Sequence, residues 1–276
     1  MVDRAVLVTG AGSGIGLATD RAFDSAGDRV FGSVRDQTGR EALSQAVAGG
    51  RRPEAVELDV TDEEAVRGAV ASVIDRAGTI DVLVNNAGIA PTGAVETSSD
   101  DDWRQAFEVN VLGAVRVTRA VLPSMRAAER GVIANVSSIN GRFAVPFMGA
   151  YSASKHALEA MSESLRYEVA RYGIRVVVIE PGQFDTPIFA KMRDQPEPGA
   201  HSPYVDTELA TRRSSPRPGE AADPAIAAAV ILAAVRGERA EFRHPAGQDA
   251  ELYLQTRARL PDEEWFELVE AFQPDA

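Results

Sequence analysis

The sequence predicts an α/β fold, a doubly wound parallel sheet of about seven strands in a single domain, with helices on both faces. Short apolar runs alternate with segments of helical periodicity along most of the 276 residues. The apolar runs are nearly continuous, as expected for strands that are covered on both faces. A turn rich in glycine, residues 9–16 and called the glycine turn below, joins the first run to the first helical segment. Together these observations predict a sheet built from successive strand–helix units.

The boundaries of these elements follow from apolar runs, capping residues and glycine stops. Residues 61–64 have the form of a capping box that opens a helix. Ser99 and the three aspartates after it begin a long helix through Asn110. Asp223 and Pro224 suit the N-cap and first position of an alanine-rich helix. The predicted strands are 6–8, 29–34, 54–58, 80–84, 131–136, 174–179 and 240–243, and the predicted helices run from the glycine turn to 26 and over 39–47, 61–77, 99–125, 151–172 and 224–236.

Two stretches toward the C-terminus have weaker patterns. Between residues 187 and 219 the periodicity fades and proline recurs, which predicts a loop or a lid over a substrate site. Residues 244–276 are polar and partly helical, and are predicted to be a variable C-terminal extension within the same domain, residues 1–276. No internal repeat indicates a second domain.

Composition narrows the possible classes of protein. A net charge of −12 and a pI near 4.8 leave no basic surface for nucleic acid. The absence of Cys excludes disulfides and thiolate metal sites and fits a reducing cytoplasm, and the three histidines have no metal-ligand spacing. The N-terminus enters a strand without a signal peptide, and the longest apolar run, 225–235, is too short to span a bilayer. We expect a cytoplasmic protein without a metal, membrane or nucleic-acid partner.

The glycine turn predicts a nucleotide site. Gly10, Gly14 and Gly16 lie between a strand and a helix, where glycine permits close approach of the backbone to a ligand. The helix N-terminus offers free N–H groups to a pyrophosphate. The spacing is not Gly-x-Gly-x-x-Gly, since Ile15 takes the third glycine position, and no Lys follows as a Walker loop requires.

The end of the second strand bears on the choice between NAD and NADP. An acidic residue there accepts hydrogen bonds from the ribose 2′-hydroxyl of NAD, whereas an Arg favours the 2′-phosphate of NADP. Val34 stands where the acid is expected, and Arg35 follows it. Asp36 would weaken this interpretation if the strand end were shifted by two residues. The pattern favours NADP(H) over NAD(H).

Three polar side chains predict acid–base chemistry on an alcohol or carbonyl oxygen. Tyr151 and Lys155 share one face of a helix, and Ser138 follows the fifth strand. A phenol, an ammonium and a hydroxyl suit proton transfer to such an oxygen. Only Lys155 and Lys191 are lysines among 29 basic residues, which indicates a need for an ammonium at position 155. The alternative is that Tyr151 packs in a core, Lys155 is solvated and Ser138 merely ends a strand.

In combination, these motifs resemble the single-domain, Rossmann-like form of the short-chain dehydrogenase/reductase superfamily, from about residue 4 to 190. The resemblance implies a catalytic tetrad of Asn110, Ser138, Tyr151 and Lys155. It implies that Tyr151 is the acid/base, Lys155 holds the nicotinamide ribose, Ser138 orients the substrate oxygen and Asn110 holds a water. The implied cofactor contacts are Gly10, Ser13, Gly14, Ile15, Gly16, Arg35, Asp59, Val60, Asn86, Ala87, Gly88, Tyr151, Lys155, Pro181, Gly182 and Thr186.

The expected function is therefore an NADP-preferring oxidoreductase that acts on a small-molecule ketone or secondary alcohol. Apolar residues in two loop segments suggest a lipophilic substrate. The alternatives are a non-catalytic NADP(H)-binding redox sensor and a nucleotide-sugar epimerase or dehydratase, although relatives of the latter kind are longer. The family also implies a homodimer or homotetramer. The apolar residues in question are Phe143, Val145, Phe147, Met148, Phe189, Met192 and Tyr204.

Overall fold

The computed structural model describes residues 4–45, 54–195, 198 and 202–271. Within them, seven parallel strands form one sheet in the order β3-β2-β1-β4-β5-β6-β7. The predicted doubly wound α/β fold is thereby confirmed. The strand order reverses between β1 and β4, and ligands of open α/β sheets bind outside the carboxyl ends of the strands at such a point. The strands are β1 Ala5–Val8, β2 Arg29–Val34, β3 Glu54–Glu57, β4 Val82–Asn85, β5 Gly131–Val136, β6 Ile174–Pro181 and β7 Arg243–Ala246.

Helices cover both faces of the sheet, and side chains that alternate along the strands build a separate core on each face. Leu7, Phe31 and Ile133 belong to the core under α3, α5 and α6. Val6 and Ile179 belong to the core under α1 and α9. The α-helices of the described residues are α1 Gly14–Ser25, α2 Gln37–Gln45, α3 Glu63–Ala77, α4 Asp100–Phe107, α5 Ala114–Ala127, α6 Gly149–Val169, α7 Pro187–Arg193, α8 Val205–Arg213, α9 Pro224–Arg236, α10 Gln248–Arg259 and α11 Asp262–Ala271.

The capping residues fix where several helices begin. The Ser99 hydroxyl and Asp102 form a capping box at the start of α4. Asp223 accepts a hydrogen bond from Ala225 N and so caps α9. The capping box predicted for residues 61–64 is not formed, because Asp62 is the N-cap of α3 and accepts from Glu64 N and Ala65 N, while Thr61 hydrogen bonds to Asp59 instead. None of the helices in the described part of the chain has the length and apolarity that crossing a bilayer requires.

Three sequence-based boundaries were wrong. The long helix predicted over 99–125 is interrupted by a π-helical segment, Glu108–Gly113, between α4 and α5. The last strand is Arg243–Ala246 rather than 240–243, because pairing with β6 sets its position and its own sequence has little strand character. Residues 187–219 contain the helices α7 and α8, so they are not simply a loop. Pro187 at the first position of α7 is a helix-start signal that the later prolines obscured.

Candidate active site

The glycine turn has a conformation that requires glycine at several positions. Gly10 and Gly14 have φ values of +67° and +52°, in the left-handed region. A Cβ on Gly16 would overlap the Gly10 carbonyl oxygen. Asn86 holds the turn from the neighbouring β4 loop, since its Nδ2 donates to Thr9 O at 2.9 Å and to Gly10 O at 3.3 Å. The turn is therefore a fixed backbone cradle at the point where the strand order reverses.

This cradle fits the pyrophosphate of a dinucleotide. Ser13 is the N-cap of α1, and its side chain makes no capping hydrogen bond in the structure. The first N–H groups of α1, at Gly14, Ile15 and Gly16, thus remain available as hydrogen-bond donors to an anion. Gly12 lies against the start of α2, where a Cβ would come within 2.9 Å of Gly39 Cα. The close packing leaves backbone rather than side chains at the cradle surface.

The segment after β2 places a positive charge where the adenosine end of a dinucleotide would lie. Val34 is buried, whereas Arg35 and Asp36 are exposed. The Asp36 Oδ1 accepts a hydrogen bond from Gly39 N at 2.8 Å, so this carboxylate is engaged at the start of α2. Arg35 lies close enough to Asp59 for its charge to act on that carboxyl group.

Asp59 and Val60, predicted to contact the adenosine, follow β3. Burial acts to raise the pKa of Asp59, but hydrogen bonds from Thr61 and the Arg35 charge outweigh it, so the pKa of Asp59 lies below its usual value. The Asp59 Oδ1 accepts from Thr61 N at 2.9 Å and from Thr61 Oγ1 at 2.7 Å. Val60 is buried against Gly113 of the π-helical segment.

Tyr151 and Ser138 meet at the carboxyl end of β5. Tyr151 lies in the first turn of α6, and its hydroxyl lies close enough to Ser138 for that side chain to act on its pKa. Ser138 caps the short 3-10 turn Ile139–Gly141, and its Oγ accepts from Asn140 N at 3.1 Å. Burial raises the pKa of Tyr151, and the Ser138 side chain offsets part of this rise. The two hydroxyl groups can share one substrate oxygen.

Lys155 lies one helical turn beyond Tyr151 and is buried. Its Nζ donates to Val136 O at 2.8 Å and lies 5.8 Å from the centre of the Tyr151 ring. Burial lowers the pKa of Lys155 to about 8, while the charge of Glu159 acts in the opposite direction. The interpretation of Lys155 as a solvated surface residue is therefore wrong.

Asn110 lies in the π-helical segment and links it to two neighbours of the site. Its Oδ1 accepts from Ile89 N at 2.9 Å, and its Nδ2 donates to Ile89 O at 3.0 Å and to Ser154 Oγ at 2.9 Å. The Asn110 side chain thus holds the β4 loop against α6. Its role in holding a water molecule stays a prediction. A Cβ on Gly88 would lie 3.2 Å from Asn110 Oδ1 and 3.7 Å from Lys155 Nζ, so Gly88 lets both side chains approach the cleft.

The loop after β6 is held by a residue that the sequence did not reveal. Pro181 ends β6, and a Cβ on Gly182 would overlap the carboxylate of Asp249 in α10. The Asp249 Oδ2 accepts from Gln183 N at 2.7 Å. Thr186 follows as the N-cap of α7, and its Cγ2 lies 2.9 Å from the position of a Cβ on Gly14. The nicotinamide-side loop and the glycine turn are therefore in contact.

Apolar side chains surround Tyr151 on the substrate side. Met148 and Met192 are buried there. Next to this cluster, a groove of about 570 Å³ is lined by the 94–96 segment, Phe147, Tyr204 and Thr207. Phe143 instead packs edge-on against Trp265 of α11, with ring centres 4.9 Å apart, and does not belong to this cluster. The other apolar residues of the cluster are Ala90, Val145, Ile188 and Phe189.

Known proteins of one family are similar to this chain in sequence and fold. The sequence pattern of the family described as short chain dehydrogenase matches residues 4–197. A Bacteroides thetaiotaomicron protein named 3-ketodihydrosphingosine reductase is 33% identical over 266 residues, which cover 95% of each chain. The Bos taurus protein named dehydrogenase/reductase SDR family member 7B is 39% identical over 188 residues, which cover 66% of this chain and 58% of that protein.

Two solved structures share the fold over nearly their whole length and contain a nicotinamide cofactor. A short chain dehydrogenase/reductase from Burkholderia phymatum, in complex with NAD, is 26% identical with a TM-score of 0.82 and covers 100% of this chain and 99% of its own. A short chain dehydrogenase from Burkholderia cenocepacia, in complex with NADP, is 29% identical with a TM-score of 0.75 and covers 98% of each chain.

Proposed function

Because this chain belongs to the short chain dehydrogenase family, we propose that it is an NADP(H)-preferring oxidoreductase acting on a lipophilic ketone or secondary alcohol, with Tyr151 as the acid/base. The observation that carries the proposal is the proximity of Ser138 to the Tyr151 hydroxyl, with the buried Lys155 beside them. These three groups lie at the carboxyl end of the sheet, beside a backbone cradle that suits a dinucleotide.

The side chains of this chain supply position and a proton, and a bound nicotinamide supplies or accepts the hydride. In ketone reduction, Tyr151 donates its hydroxyl proton to the substrate oxygen, and Ser138 donates a hydrogen bond to the same oxygen. In alcohol oxidation, the Tyr151 phenolate accepts the hydroxyl proton. The Lys155 ammonium favours the phenolate electrostatically and so opposes the effect of burial on Tyr151. The Asn110 side chain keeps the β4 loop in place beside Lys155.

The preference for NADP(H) is supported by charge and geometry at the end of β2. Arg35 is exposed there and available to a 2′-phosphate. The carboxylate of Asp36 already accepts a hydrogen bond from Gly39 N, which leaves it less suited to bind a ribose 2′-hydroxyl. Solved relatives with this fold contain NAD or NADP, so the fold does not decide between the two cofactors. The charge at the end of β2 is what supports NADP(H).

The substrate proposal is supported by the apolar surroundings of Tyr151. Met148, Met192 and Phe189 offer little to a sugar or another strongly polar substrate. A lipophilic ketone could place its oxygen at Tyr151 and Ser138 and its apolar body against this cluster. The Bacteroides relative is named for a keto substrate, which supports the same class for this chain.

The direct test is to measure NADPH oxidation with wild type and Tyr151→Phe on panels of long-chain ketones, cyclic ketones and sugars. We expect turnover on a lipophilic ketone and a loss of kcat of about 100-fold or more in the variant, because the acid/base is removed. NADPH affinity, measured by fluorescence, should change little. Turnover near wild type in Tyr151→Phe would refute the acid/base assignment. Cofactor binding without turnover on any panel would favour a redox sensor.

A further inference from the structure

A cluster of five charged side chains lies beyond Lys155 along α6, where this helix packs on β6 and the turn that follows β5 and is contacted by Arg243 of β7. Arg243 of β7 donates from Nε to Glu159 Oε2 at 2.9 Å and from Nη2 to Glu163 Oε2 at 3.1 Å. Arg142 donates from Nη1 to Glu180 Oε1 at 3.0 Å. We refer to these residues, Arg142, Glu159, Glu163, Glu180 and Arg243, as the charge cluster.

Glu159 is the member of the charge cluster nearest to the catalytic groups along α6. It follows Lys155 by one helical turn, so the two side chains lie on the same face of the helix. Glu159 is only 4% exposed, which prevents water from screening its charge. Its Oε2 is bonded to Arg243, whereas its Oε1 has no hydrogen-bond partner among the residues that the structure describes.

Lys155 needs a negative charge nearby because it is as buried as Glu159. Its Nζ is hydrogen-bonded to the Val136 carbonyl and lies 5.8 Å from the centre of the Tyr151 ring, and both groups are uncharged. A buried ammonium without a compensating charge gives up its proton. The charge of Glu159 is the one that acts on Lys155 and raises its pKa, against the burial that lowers it.

The rest of the charge cluster holds Glu159 in place from the other side. Arg243 reaches it from β7, and Glu180 of β6 lies 3.9 Å from the same Arg243 nitrogen. Burial and then the charge of Glu159 raise the pKa of Glu180, while Arg142 and Arg243 act to lower it. Each carboxylate of the charge cluster therefore lies beside an arginine guanidinium.

We propose that Glu159 is a positioning residue of the active site, whose buried carboxylate keeps Lys155 in its ammonium form beside Tyr151. Its catalytic meaning rests on the proposed function, since Lys155 acts through Tyr151. The electrostatic relation between Glu159 and Lys155 does not depend on turnover and can be measured separately. Without Glu159, Lys155 becomes a neutral amine closer to neutral pH and no longer stabilises the Tyr151 phenolate.

The titration of Lys155 can be followed directly, because the chain has only two lysines. Protein labelled with ¹³C at lysine Cε gives two lysine signals, and Lys191→Arg identifies the one from Lys155. We expect Glu159→Gln to lower the pKa of Lys155 by about one unit or more, because an opposite charge is removed from its vicinity.

Two further variants separate this role from general effects on folding. Glu163→Gln removes the other carboxylate bonded to Arg243. Glu163 is half exposed and lies two helical turns from Lys155, so this variant should leave the pKa of Lys155 unchanged. Glu159→Asp keeps the charge and should restore most of the shift, and circular dichroism establishes folding for each variant. An unchanged Lys155 pKa in Glu159→Gln, or an equal shift in Glu163→Gln, would overturn the proposal.

The activity measurement adds the catalytic readout. In alcohol oxidation, the acidic limb of the pH profile of kcat/KM should move to higher pH in Glu159→Gln, because the Tyr151 phenolate loses the ammonium that stabilises it. If the Lys155 pKa shifts in Glu159→Gln but the wild-type protein turns over no substrate, the proposed function is contradicted. The electrostatic relation between Glu159 and Lys155 would then still hold. If the enzyme is active and the Lys155 pKa shifts in Glu159→Gln while the pH profile of kcat/KM does not move, the positioning role of Glu159 is refuted.

Discussion

Asp20 lies entirely inside the protein, on the face of α1 that packs on β2 beneath the glycine turn. Its Oδ2 lies 2.6 Å from the position of a Cβ on Gly32, beside Leu43 and Ala11. Neither oxygen of Asp20 has a hydrogen-bond partner among the described residues. Burial, and to a lesser extent the charge of Asp24, raises the pKa of Asp20 to about 7. The folded protein therefore binds a proton at Asp20 more tightly than the unfolded chain does.

This raised pKa predicts how stability depends on pH. The free energy of unfolding loses the Asp20 contribution as pH rises from the unfolded pKa of 3.8 to the folded value of about 7, and stays constant above it. Asp20→Asn should thus be more stable than wild type by a few kcal/mol at pH 8, with the gain shrinking at pH 5. Urea unfolding at both values measures this. Asp75→Asn, at an exposed position of α3, should show no such trend; a pH-independent gain in Asp20→Asn would contradict the prediction.

Arg35 is the residue on which the cofactor preference depends most. Arg35→Ala should raise the KM for NADPH by about tenfold or more, because a charge-assisted contact to the 2′-phosphate is worth roughly 1.5–3 kcal/mol. The KM for NADH should change little. Arg40→Ala, which removes an arginine on α2 bound to Glu57, controls for the loss of a positive charge nearby. Equal effects on the two cofactors would remove the case for NADP(H).

At the scale of elements, α7 and α8 are held over the site by buried polar contacts. Glu208 and Arg212 form an ion pair within α8, with a distance of 2.5 Å, and both are buried. Glu208 Oε2 also accepts from Ala94 N at 3.4 Å, in the β4 loop. Removal of one partner of a buried ion pair costs several kcal/mol. Substitution of Glu208 or Arg212 would therefore first disorder the contact between α8 and the β4 loop. The i, i+4 spacing was visible in the sequence, but its burial was not.

Gln195 makes the second connection between this region and the β4 loop. Its Oε1 accepts from Thr92 N at 2.9 Å and from Thr92 Oγ1 at 2.8 Å, and its Nε2 donates to Ala90 O at 3.0 Å. Because three hydrogen bonds of about 1 kcal/mol each are lost, Gln195→Ala should raise the substrate KM by about tenfold or more. The cofactor affinity should stay near wild type. Steady-state kinetics test this against Gln105→Ala, an exposed position on α4, and equal KM values in both variants would refute the role of Gln195.

Elements with local signals were predictable, and elements set by distant partners were not. β2 was placed at residues 29–34 because Gly27 ends the preceding helix and Val30, Phe31 and Val34 mark the strand. The π-helical segment has no local signal: Asn110 bonds to Ile89 and Ser154, which are distant in sequence. Tyr151, Lys155 and Ser138 were singled out by type and spacing and Asn110 by the family resemblance, whereas Asp249 and Glu159 were not, because their contacts are made only by folding.

At the scale of the whole molecule, exposed apolar side chains on the long helices suggest self-association. Leu112 is 44% exposed in the π-helical segment, and Tyr167 is 72% exposed on α6. We expect light scattering to give two or four times the chain mass of 29.4 kDa. Tyr167→Asp should weaken the assembly by placing a charge in the interface, whereas Phe266→Asp, at an exposed aromatic of α11, should not. A monomer mass for wild type at micromolar concentration would contradict this.

The contact between Asp249 and the loop after β6 has a consequence for engineering this enzyme. The family pattern matches residues 4–197 and leaves out the C-terminal helices, which makes these helices an attractive module to exchange when a new specificity is wanted. Here the first turn of α10 fills the space over Gly182 and binds Gln183 N. A grafted tail without a carboxylate at position 249 would free the Pro181–Gly182 backbone. Chimeras should therefore be joined after Asp249, so that the tail is exchanged while the support of the nicotinamide-side loop is inherited intact.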